Sequence, residues 1–309
     1  MNWVTQMHRM FAVALALMLL APAAGAQEGA GDVVYVPTPQ IVVDEMLRMA
    51  KVGPNDYVID LGSGDGRIVI TAAKKHGARG FGVDLDRYLL KLANETAKKE
   101  GVSDRARFFE QNLFETDLSP ATVITSYLLP EMNLRLLPKL LGLKPGTRVV
   151  AHDYAMGEWT PDEEKTLLVP EKTVGDPGKS YIFFWVVPAR LAGTWESQLP
   201  VGARAVPYRF SFEQNFQVVH GAVHVDERES RLPQFKLNGE ELSFSFNAPV
   251  GNTVVGHRFR GRVKGDTIEG TVTIGEGSGQ RIMPWRAKQT ARGEMQMGGL
   301  GMSLAVVAP

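Results

Sequence analysis

Hydrophobic positions between residues 33 and 188 alternate between short apolar runs and stretches with helical spacing. Residues 57–61 form such a run and predict a buried strand, whereas apolar residues within 86–101 recur every three or four positions and predict a helix. This alternation predicts an α/β domain with a mostly parallel sheet covered on both faces. The predicted strands are 57–61, 80–84, 106–110, 121–129, 146–152, 171–174 and 181–187; the predicted helices are 40–51, 67–77, 86–101 and 130–141, with a short helix or turn at 162–168.

Helical spacing disappears after Pro188, and apolar and polar residues then alternate with period two. Such short, half-buried strands at regular intervals predict a second domain, an all-β barrel or sandwich over residues 191–290. Asn238-Gly239 and Lys264-Gly265-Asp266 are typical hairpin turns. Residues 291–309 are rich in Gly and Met and are predicted to be a disordered tail. The predicted β strands are 191–196, 208–212, 217–225, 234–237, 241–247, 253–263, 267–274 and 281–288.

The first 26 residues follow a different pattern, that of a secretory signal peptide. Residues 11–20 are an unbroken apolar run, and Ala24-Gly25-Ala26 follows as a small-residue cleavage site. The pattern predicts export, with a periplasmic location, or a membrane anchor if the leader is not cleaved. No later segment is long and apolar enough to predict a transmembrane helix.

Composition excludes several classes of site. The 309 residues have a net formal charge of zero, so there is no electrostatic signature of nucleic-acid binding. The absence of cysteine excludes disulfides, redox dithiols and thiolate metal sites. His220 and His224 share a strand face, but no third ligand accompanies them, and we predict no metal site.

The most informative stretch is the glycine turn Asp60-Leu61-Gly62-Ser63-Gly64-Asp65-Gly66-Arg67, between a predicted strand and a predicted helix. A dinucleotide-binding turn has Gly-x-Gly-x-x-Gly spacing, and a P-loop ends in Gly-Lys-Ser/Thr; neither matches. Asp84 and Asn112 follow the next two strands, at the sheet edge where α/β folds bind nucleosides.

The turn resembles motif I of class I S-adenosylmethionine-dependent methyltransferases. Over residues 35–159 the chain also resembles the ATP-synthase c-subunit and adenine-nucleotide-translocase lysine methyltransferases. This rests on Val36-Pro37, the Asp60–Arg67 string, Asp117-Leu118 and Trp159. The family's Glu-Leu-Asn is Asp84-Leu85-Asp86 here, its basic-aromatic pair is Asp153-Tyr154, and the β region has no counterpart that we can match.

The resemblance implies a Rossmann-like, seven-stranded methyltransferase sheet and S-adenosylmethionine as cofactor. Asp60 and the glycine backbone would hold its methionine part, Asp84 its ribose hydroxyls and Asn112 its adenine edge, with Leu113 or Phe114 against the adenine face. The full predicted cofactor set is Asp60, Gly62, Ser63, Gly64, Gly66, Asp84, Leu85, Asn112 and Leu113. The predicted substrate-lining residues are Tyr127, Glu131 and Trp159, with Tyr35 and Tyr154 as further candidates.

These features lead to one main expectation and two alternatives. The main one is methyl transfer to a protein lysine, and the first alternative is a small-molecule acceptor. The leader suggests the second alternative, a non-catalytic exported protein on a degenerate methyltransferase fold. The β domain is also a candidate to bind an envelope partner.

Overall fold

The computed structural model describes residues 35–201, 204–225, 228–250 and 253–298. Its first half is built around a seven-stranded sheet with strand order β3-β2-β1-β4-β5-β7-β6. The helices are α1 (Gln40–Met49), α2 (Arg67–His76), α3 (Arg87–Lys99) and α4 (Pro130–Leu141). The strands are β1 (Tyr57–Leu61), β2 (Arg79–Asp84), β3 (Ala106–Glu110), β4 (Val123–Ser126), β5 (Arg148–His152), β6 (Glu163–Leu168) and β7 (Lys179–Val186).

Strands β1 to β5 are parallel, so their carboxyl ends lie along one edge of the sheet, which we call the carboxyl edge. Strand β7 pairs with β5 in the antiparallel sense, and β6 pairs with β7 in the same way. This arrangement confirms the predicted methyltransferase-like sheet. The loops after β1 to β5 therefore meet at the carboxyl edge, where ligands bind in open α/β sheets.

Local sequence explains where the helices begin and end. Gly66 and Gly77 flank α2 in the left-handed region, with φ of +78° and +70°. The Asp86 side chain accepts hydrogen bonds from the backbone N–H groups of Tyr88 and Leu89, which caps the start of α3. Pro130 occupies the first turn of α4, where its missing N–H costs no hydrogen bond.

The end of this sheet differs from the sequence prediction. Residues 162–168, predicted as a helix or turn, contain strand β6, and the strand predicted at 171–174 lies in the loop between β6 and β7. Strand β6 lies at the sheet edge and alternates exposed with half-buried residues. Edge strands with several charged side chains have a weak hydrophobic signal, which explains the wrong prediction.

The second half is a curled antiparallel sheet, an all-β half-barrel. Its order among the described residues is β11-β10-β9-β8-β16-β15-β14-β13-β12, with β17 beside β9. The strands are β8 (Gly193–Val201), β9 (Arg204–Asn215), β10 (Val218–Val225), β11 (Arg228–Arg231), β12 (Gln234–Asn238), β13 (Glu241–Val250), β14 (Thr253–Lys264), β15 (Thr267–Ile274), β16 (Arg281–Arg292) and β17 (Met295–Gln296).

Alternation of buried and exposed residues shapes the half-barrel. Along β9 every second residue points inward, so its aromatic residues line the concave side. Phe244 and Phe259 stack with centroids 4.8 Å apart, and Trp285 packs edge-on against Phe259 at 4.8 Å. The predicted hairpin turns at Gly239 and Gly265 are present, each with positive φ.

The predicted disordered tail needs correction at its start. Strand β16 extends to Arg292, and Met295-Gln296 pairs with β9. Met295 and Met297 are buried in the core, because their apolar side chains cover the seven-stranded sheet. Residues 299–309 lie outside the described residues, as does the predicted leader. No helix in the described ranges has both the length and the apolar character needed to cross a membrane.

Candidate active site

The glycine turn lies at the carboxyl edge and is fixed by backbone contacts to β2. The N–H groups of Gly62 and Ser63 both donate to Val83 O at 2.9 Å. Gly66 has a positive φ, and a Cβ there would lie 2.5 Å from the ring of Phe108. Glycine is therefore required at this position both by the backbone conformation and by the space available.

Asp84 joins this turn to the end of β2. One carboxylate oxygen accepts from Gly64 N at 2.8 Å, and the other accepts from Asp86 N at 3.0 Å. Each oxygen keeps lone-pair capacity for another donor, as two ribose hydroxyls require. Leu85, the next residue, is 48% exposed and stands at the rim of the same edge.

Asp60 is the most unusual ionisable group at this edge. Its side chain is buried and accepts a hydrogen bond of 2.7 Å from Thr125 Oγ1 on the adjacent strand. Burial raises its pKa to about 7 although the Thr125 hydrogen bond lowers it, and the nearby carboxylates of Asp84 and Asp65 add to the rise. Among the described residues no basic side chain counteracts this shift. The site therefore favours a cation beside Asp60.

Asn112 follows β3 and closes a short turn. Its Oδ1 accepts from Phe114 N at 3.0 Å, and its Nδ2 lies 3.4 Å from Glu115 Oε1. Leu113 and Phe114 are half-buried, and the Arg135 guanidinium lies 3.8 Å from the Phe114 ring centroid. The turn thus presents an amide and two apolar side chains beside Asp84.

These groups fit S-adenosylmethionine chemically. The ligand itself has two cationic groups, a sulfonium and an ammonium, and only one carboxylate. The carboxylates of Asp60 and Asp84 at this edge can balance its excess positive charge. The Oγ atoms of Ser63 and Ser126 are buried and have no hydrogen-bond partner among the described residues, so they can accept or donate to a bound polar group. Gly66 allows the chain to pass close to a ligand without a side chain intervening.

The second part of the edge contains the predicted substrate-lining residue Tyr127, directly after β4. Its hydroxyl donates to Asp153 Oδ2 at 3.0 Å, and its ring lies 4.0 Å from the ring of His152 and 6.3 Å from that of Tyr154. Burial and the Asp153 carboxylate raise the pKa of Tyr127 well above its ordinary value. The phenol therefore stays protonated and acts as a hydrogen-bond donor.

His152 is buried beneath this group. Its ring nitrogens lie 3.2 Å from Thr38 Oγ1 and 3.0 Å from Ser180 Oγ, which anchors the segment before α1 to β5. Burial lowers the pKa of His152 to about 4. The imidazole is thus neutral at pH 7 and enclosed by hydroxyl groups, a structural arrangement.

The other candidates are separated by the fold. Glu131 is exposed in the first turn of α4, at the rim, and Tyr35 is exposed as well. Trp159 is fully buried and stacks on Phe216 of the half-barrel at 6.2 Å, while its Nε1 donates to Gln217 Oε1. Trp159, predicted to line the substrate site, is thus buried beneath the half-barrel, apart from the exposed candidates.

Some polar neighbours were not predicted. Thr125 and Ser126 end β4 beside Asp60 and Leu61, and only the strand register reveals this. Lys172 reaches Asp153 from the loop between β6 and β7, with 2.6 Å between Nζ and Oδ2. The two residues are far apart in sequence, so no local motif indicates their contact.

Comparisons with known proteins identify relatives of the chain's first half. The family model described as ANTKMT methyltransferase domain matches residues 60–163. A protein-lysine N-methyltransferase from Saccharolobus islandicus (strain REY15A) is 48% identical over 131 residues, which cover 42% of this chain and 81% of that protein. The human ATP synthase c-subunit lysine N-methyltransferase is 34% identical over 129 residues, which cover 41% of this chain and about half of that protein, 54%.

A crystal structure of an RNA methyltransferase from Salinibacter ruber with S-adenosyl-L-homocysteine is 47% identical, with a TM-score of 0.45, and the match covers 50% of this chain and 96% of that one. A SAM-dependent methyltransferase from Geobacter sulfurreducens, also with S-adenosyl-L-homocysteine, is 24% identical, with a TM-score of 0.33 and coverage of 46% and 55%. The resemblance predicted from the glycine turn is confirmed by the sequence relatives. The chain belongs to the ANTKMT methyltransferase family and is an S-adenosylmethionine-dependent methyltransferase.

Proposed function

We propose that this enzyme methylates the side-chain amine of a protein lysine. The observation that carries the proposal is the 48% identity to a protein-lysine N-methyltransferase of which the chain covers 81%. The site is compatible with it, because the tyrosine and carboxylate groups beyond β4 and β5 can bind an amine. A small-molecule amine remains the alternative acceptor.

In this proposal Asp60 and Asp84 hold the cofactor and fix its position. When bound, S-adenosylmethionine would supply a methyl group activated by its sulfonium, for transfer to the lone pair of the acceptor nitrogen, with the sulfur leaving as a neutral thioether. Orientation is then the main contribution of the protein and can lower the barrier by roughly 7–11 kcal/mol in the best cases.

The acceptor amine must be neutral when it reacts, and the side chains near Tyr127 do not act as a strong base. Tyr127 keeps its proton because its pKa is raised, and the ring nitrogens of His152 already contact hydroxyl groups. The proton therefore leaves to water before transfer, helped by desolvation of the amine, which lowers an amine pKa.

A transfer assay tests the acceptor class. Purified enzyme is incubated with methyl-tritiated S-adenosylmethionine and a lysine-rich protein, alongside the same protein with its lysines acetylated. We expect label in the first and not the second, and mass spectrometry should place it on lysine Nζ. Label that enters RNA or a free small amine instead would refute a protein-lysine acceptor.

We also propose that the enzyme is exported, with the β module available to an envelope partner. The support is the leader pattern at residues 1–26, with its apolar run and small-residue site. Fractionation of the full chain with a C-terminal tag tests it, using a periplasmic and a cytosolic marker. A tagged protein found in the cytosol with its N-terminus intact would contradict the proposal.

A further inference from the structure

Asp153 holds an amine in the folded protein, and this amine belongs to the chain itself. Lys172 Nζ lies 2.6 Å from Asp153 Oδ2 and also donates to the backbone oxygen of Lys179. The side chains of both ion-pair partners are at most 5% exposed. The same carboxylate accepts from Tyr127 OH at 3.0 Å and from Tyr181 N at 3.1 Å. It is thus a preformed, hydrogen-bonded receptor for one ammonium group.

The backbone at Asp153 is in an uncommon conformation. Its φ is +61°, in the left-handed region that Asp tolerates better than most residues but still at a cost. The turn follows directly after β5 and directs the carboxylate toward the tyrosine after β4. Strained residues with buried polar side chains occur preferentially at functional sites.

The position in the sheet places this receptor next to the cofactor turn. Leu61 pairs with Ser126, and Ser126 pairs with Ala151, so Asp153 is two strands away from Gly62. With strands about 4.8 Å apart, the lateral separation is about 10 Å. Tyr127 lies between the two.

We propose that Asp153 and Tyr127 form the subsite for the acceptor amine, and that Lys172 occupies this subsite until an acceptor lysine replaces it. The inference rests on the proposed lysine specificity and names the residues that recognise the amine. Lys172 then acts as an internal competitor with the same chemistry as the acceptor.

Exchange requires only movement of a side chain. The backbone of Lys172 is held in the loop by its N–H to Val169 O and by Gly178 N to its own oxygen. Its amine, on a flexible four-carbon stem, lies under the exposed Gly175, whose ideal Cβ would be 3.6 Å from Nζ. The amine can therefore turn toward solvent while the loop stays in place.

Because the Asp153 carboxylate is buried, only another cation would replace the amine of Lys172 beside it. Leaving Asp153 buried without its partner is strongly unfavourable, whereas a second ammonium restores the charge balance. A neutral side chain such as Gln or Met provides no such compensation. The subsite therefore selects a charged amine on arrival, and this amine must leave the carboxylate and lose its proton to water before methyl transfer.

A buried ion pair can be purely structural, and the protein offers a matched control. Arg148 and Asp56 form a partly buried ion pair at the amino ends of β5 and β1, away from the carboxyl edge. Substitutions there should alter stability and leave amine binding unchanged. Lys165, which pairs with Glu45 and is 41% exposed, is an internal control for lysine reactivity.

The first experiment measures the accessibility of Lys172 in the full-length wild-type enzyme with S-adenosylhomocysteine. The protein is labelled briefly with acetic anhydride, with and without Nα-acetyl-lysine methylamide, and each lysine is quantified by mass spectrometry. We expect labelling of Lys172 to rise several-fold with the lysine compound and not with its norleucine analogue. Labelling of Lys165 should not change.

The second experiment measures binding of the same compound by calorimetry. Lys172→Met should bind it at least tenfold more tightly, because the competitor is gone. Asp153→Asn should bind it roughly ten- to hundredfold more weakly, the usual effect of losing a charged hydrogen bond. Arg148→Gln should bind it like the wild type.

The outcomes separate this inference from the proposed function. Methylation of lysine peptides while Lys172 stays protected, or weaker binding by a folded Lys172→Met, would overturn the subsite assignment alone. Displacement of Lys172 by the lysine compound with no methylation of any lysine protein would support the subsite and overturn the proposed function.

Discussion

Replacement of Asp60 by asparagine should make the ligand-free protein more stable at pH 8 and weaken cofactor binding. The carboxylate is buried, and its pKa rises from the ordinary 3.8 to about 7. At 1.36 kcal/mol per pH unit, the ionised form costs the folded state about 4 kcal/mol above pH 7. Asparagine removes this charge and can still accept the hydrogen bond from Thr125.

The sign of the pH dependence follows from the raised pKa. Between pH 4 and pH 7 the folded protein holds a proton on Asp60 that the unfolded chain has released, so this residue's contribution to stability falls as pH rises. Below pH 4 both states are protonated, and above pH 7 the whole penalty is present. The difference in unfolding free energy between Asp60→Asn and wild type should therefore increase by about 4 kcal/mol from pH 4 to pH 8.

The change with pH is a better test than the absolute difference. The new amide N–H groups could lack acceptors in the buried site, which would cost about 1–3 kcal/mol at every pH. That cost cancels when the two pH values are compared, as do contributions from other titrating groups. Urea unfolding of both proteins across this range provides the measurement.

Cofactor binding provides the second half of the test. A ligand cation beside Asp60 selects the ionised form, so wild-type affinity for S-adenosylhomocysteine should be about tenfold lower at pH 6 than at pH 8. The asparagine variant should bind roughly ten- to hundredfold more weakly at pH 8 and lose most of this pH dependence. A variant whose stability relative to wild type is the same at pH 4 and pH 8 would refute the reasoning.

Three further predictions concern the fold around the site. Gly66→Ala should destabilise by about 2–5 kcal/mol in urea unfolding, because its Cβ meets Phe108 and its φ is positive, whereas Gly101→Ala, with positive φ and open space, should cost only about 1–2 kcal/mol. The pKa of His152 is lowered to about 4, so the unfolded chain takes up this proton at a higher pH than the folded protein does. The free energy of unfolding should therefore fall by up to about 3 kcal/mol from pH 6.5 to pH 4, and His152→Asn should remove this pH dependence in urea unfolding. Trp159→Ala should cost about 3–5 kcal/mol of stability, because the side chain is fully buried. Calorimetry should show that the Kd for S-adenosylhomocysteine changes by less than threefold; a larger loss of affinity would indicate that Trp159 contributes to the binding site.

The sequence was most informative where hydrophobic periodicity was strong and glycines were constrained. The helix at 130–141 and the strand at 57–61 have the predicted bounds, because each has a clear buried pattern. The turn at Gly66 was identified because only glycine permits its backbone and its contact with Phe108. Local patterns therefore predicted the cofactor end of the fold.

Contacts between distant segments were not predictable in this way. Strand β6 was missed because hydrogen bonds to β7 stabilise it more than its own weak alternation does. No sequence pattern indicated the ion pair of Lys172, because its partner Asp153 belongs to another loop, which the antiparallel β5–β7 pair brings close. The burial of Trp159 could not be predicted, because it depends on residues more than fifty positions later.

The half-barrel contacts the methyltransferase sheet just before β5 and again in the loop after β5. Gly239 packs against Gly146, just before β5, and Ala189 N donates to Gly239 O, so this contact lies at the amino ends of the parallel strands. Phe216 covers Trp159 in the same cluster as the leucines of α4.

The half-barrel completes the hydrophobic core of the methyltransferase sheet. Its contact with Gly146 lies at the amino ends of the parallel strands, whereas its contact with Trp159 involves the same β5–β6 loop that begins with Asp153. Its removal would expose Trp159 and neighbouring apolar side chains to water, so it contributes to stability through burial.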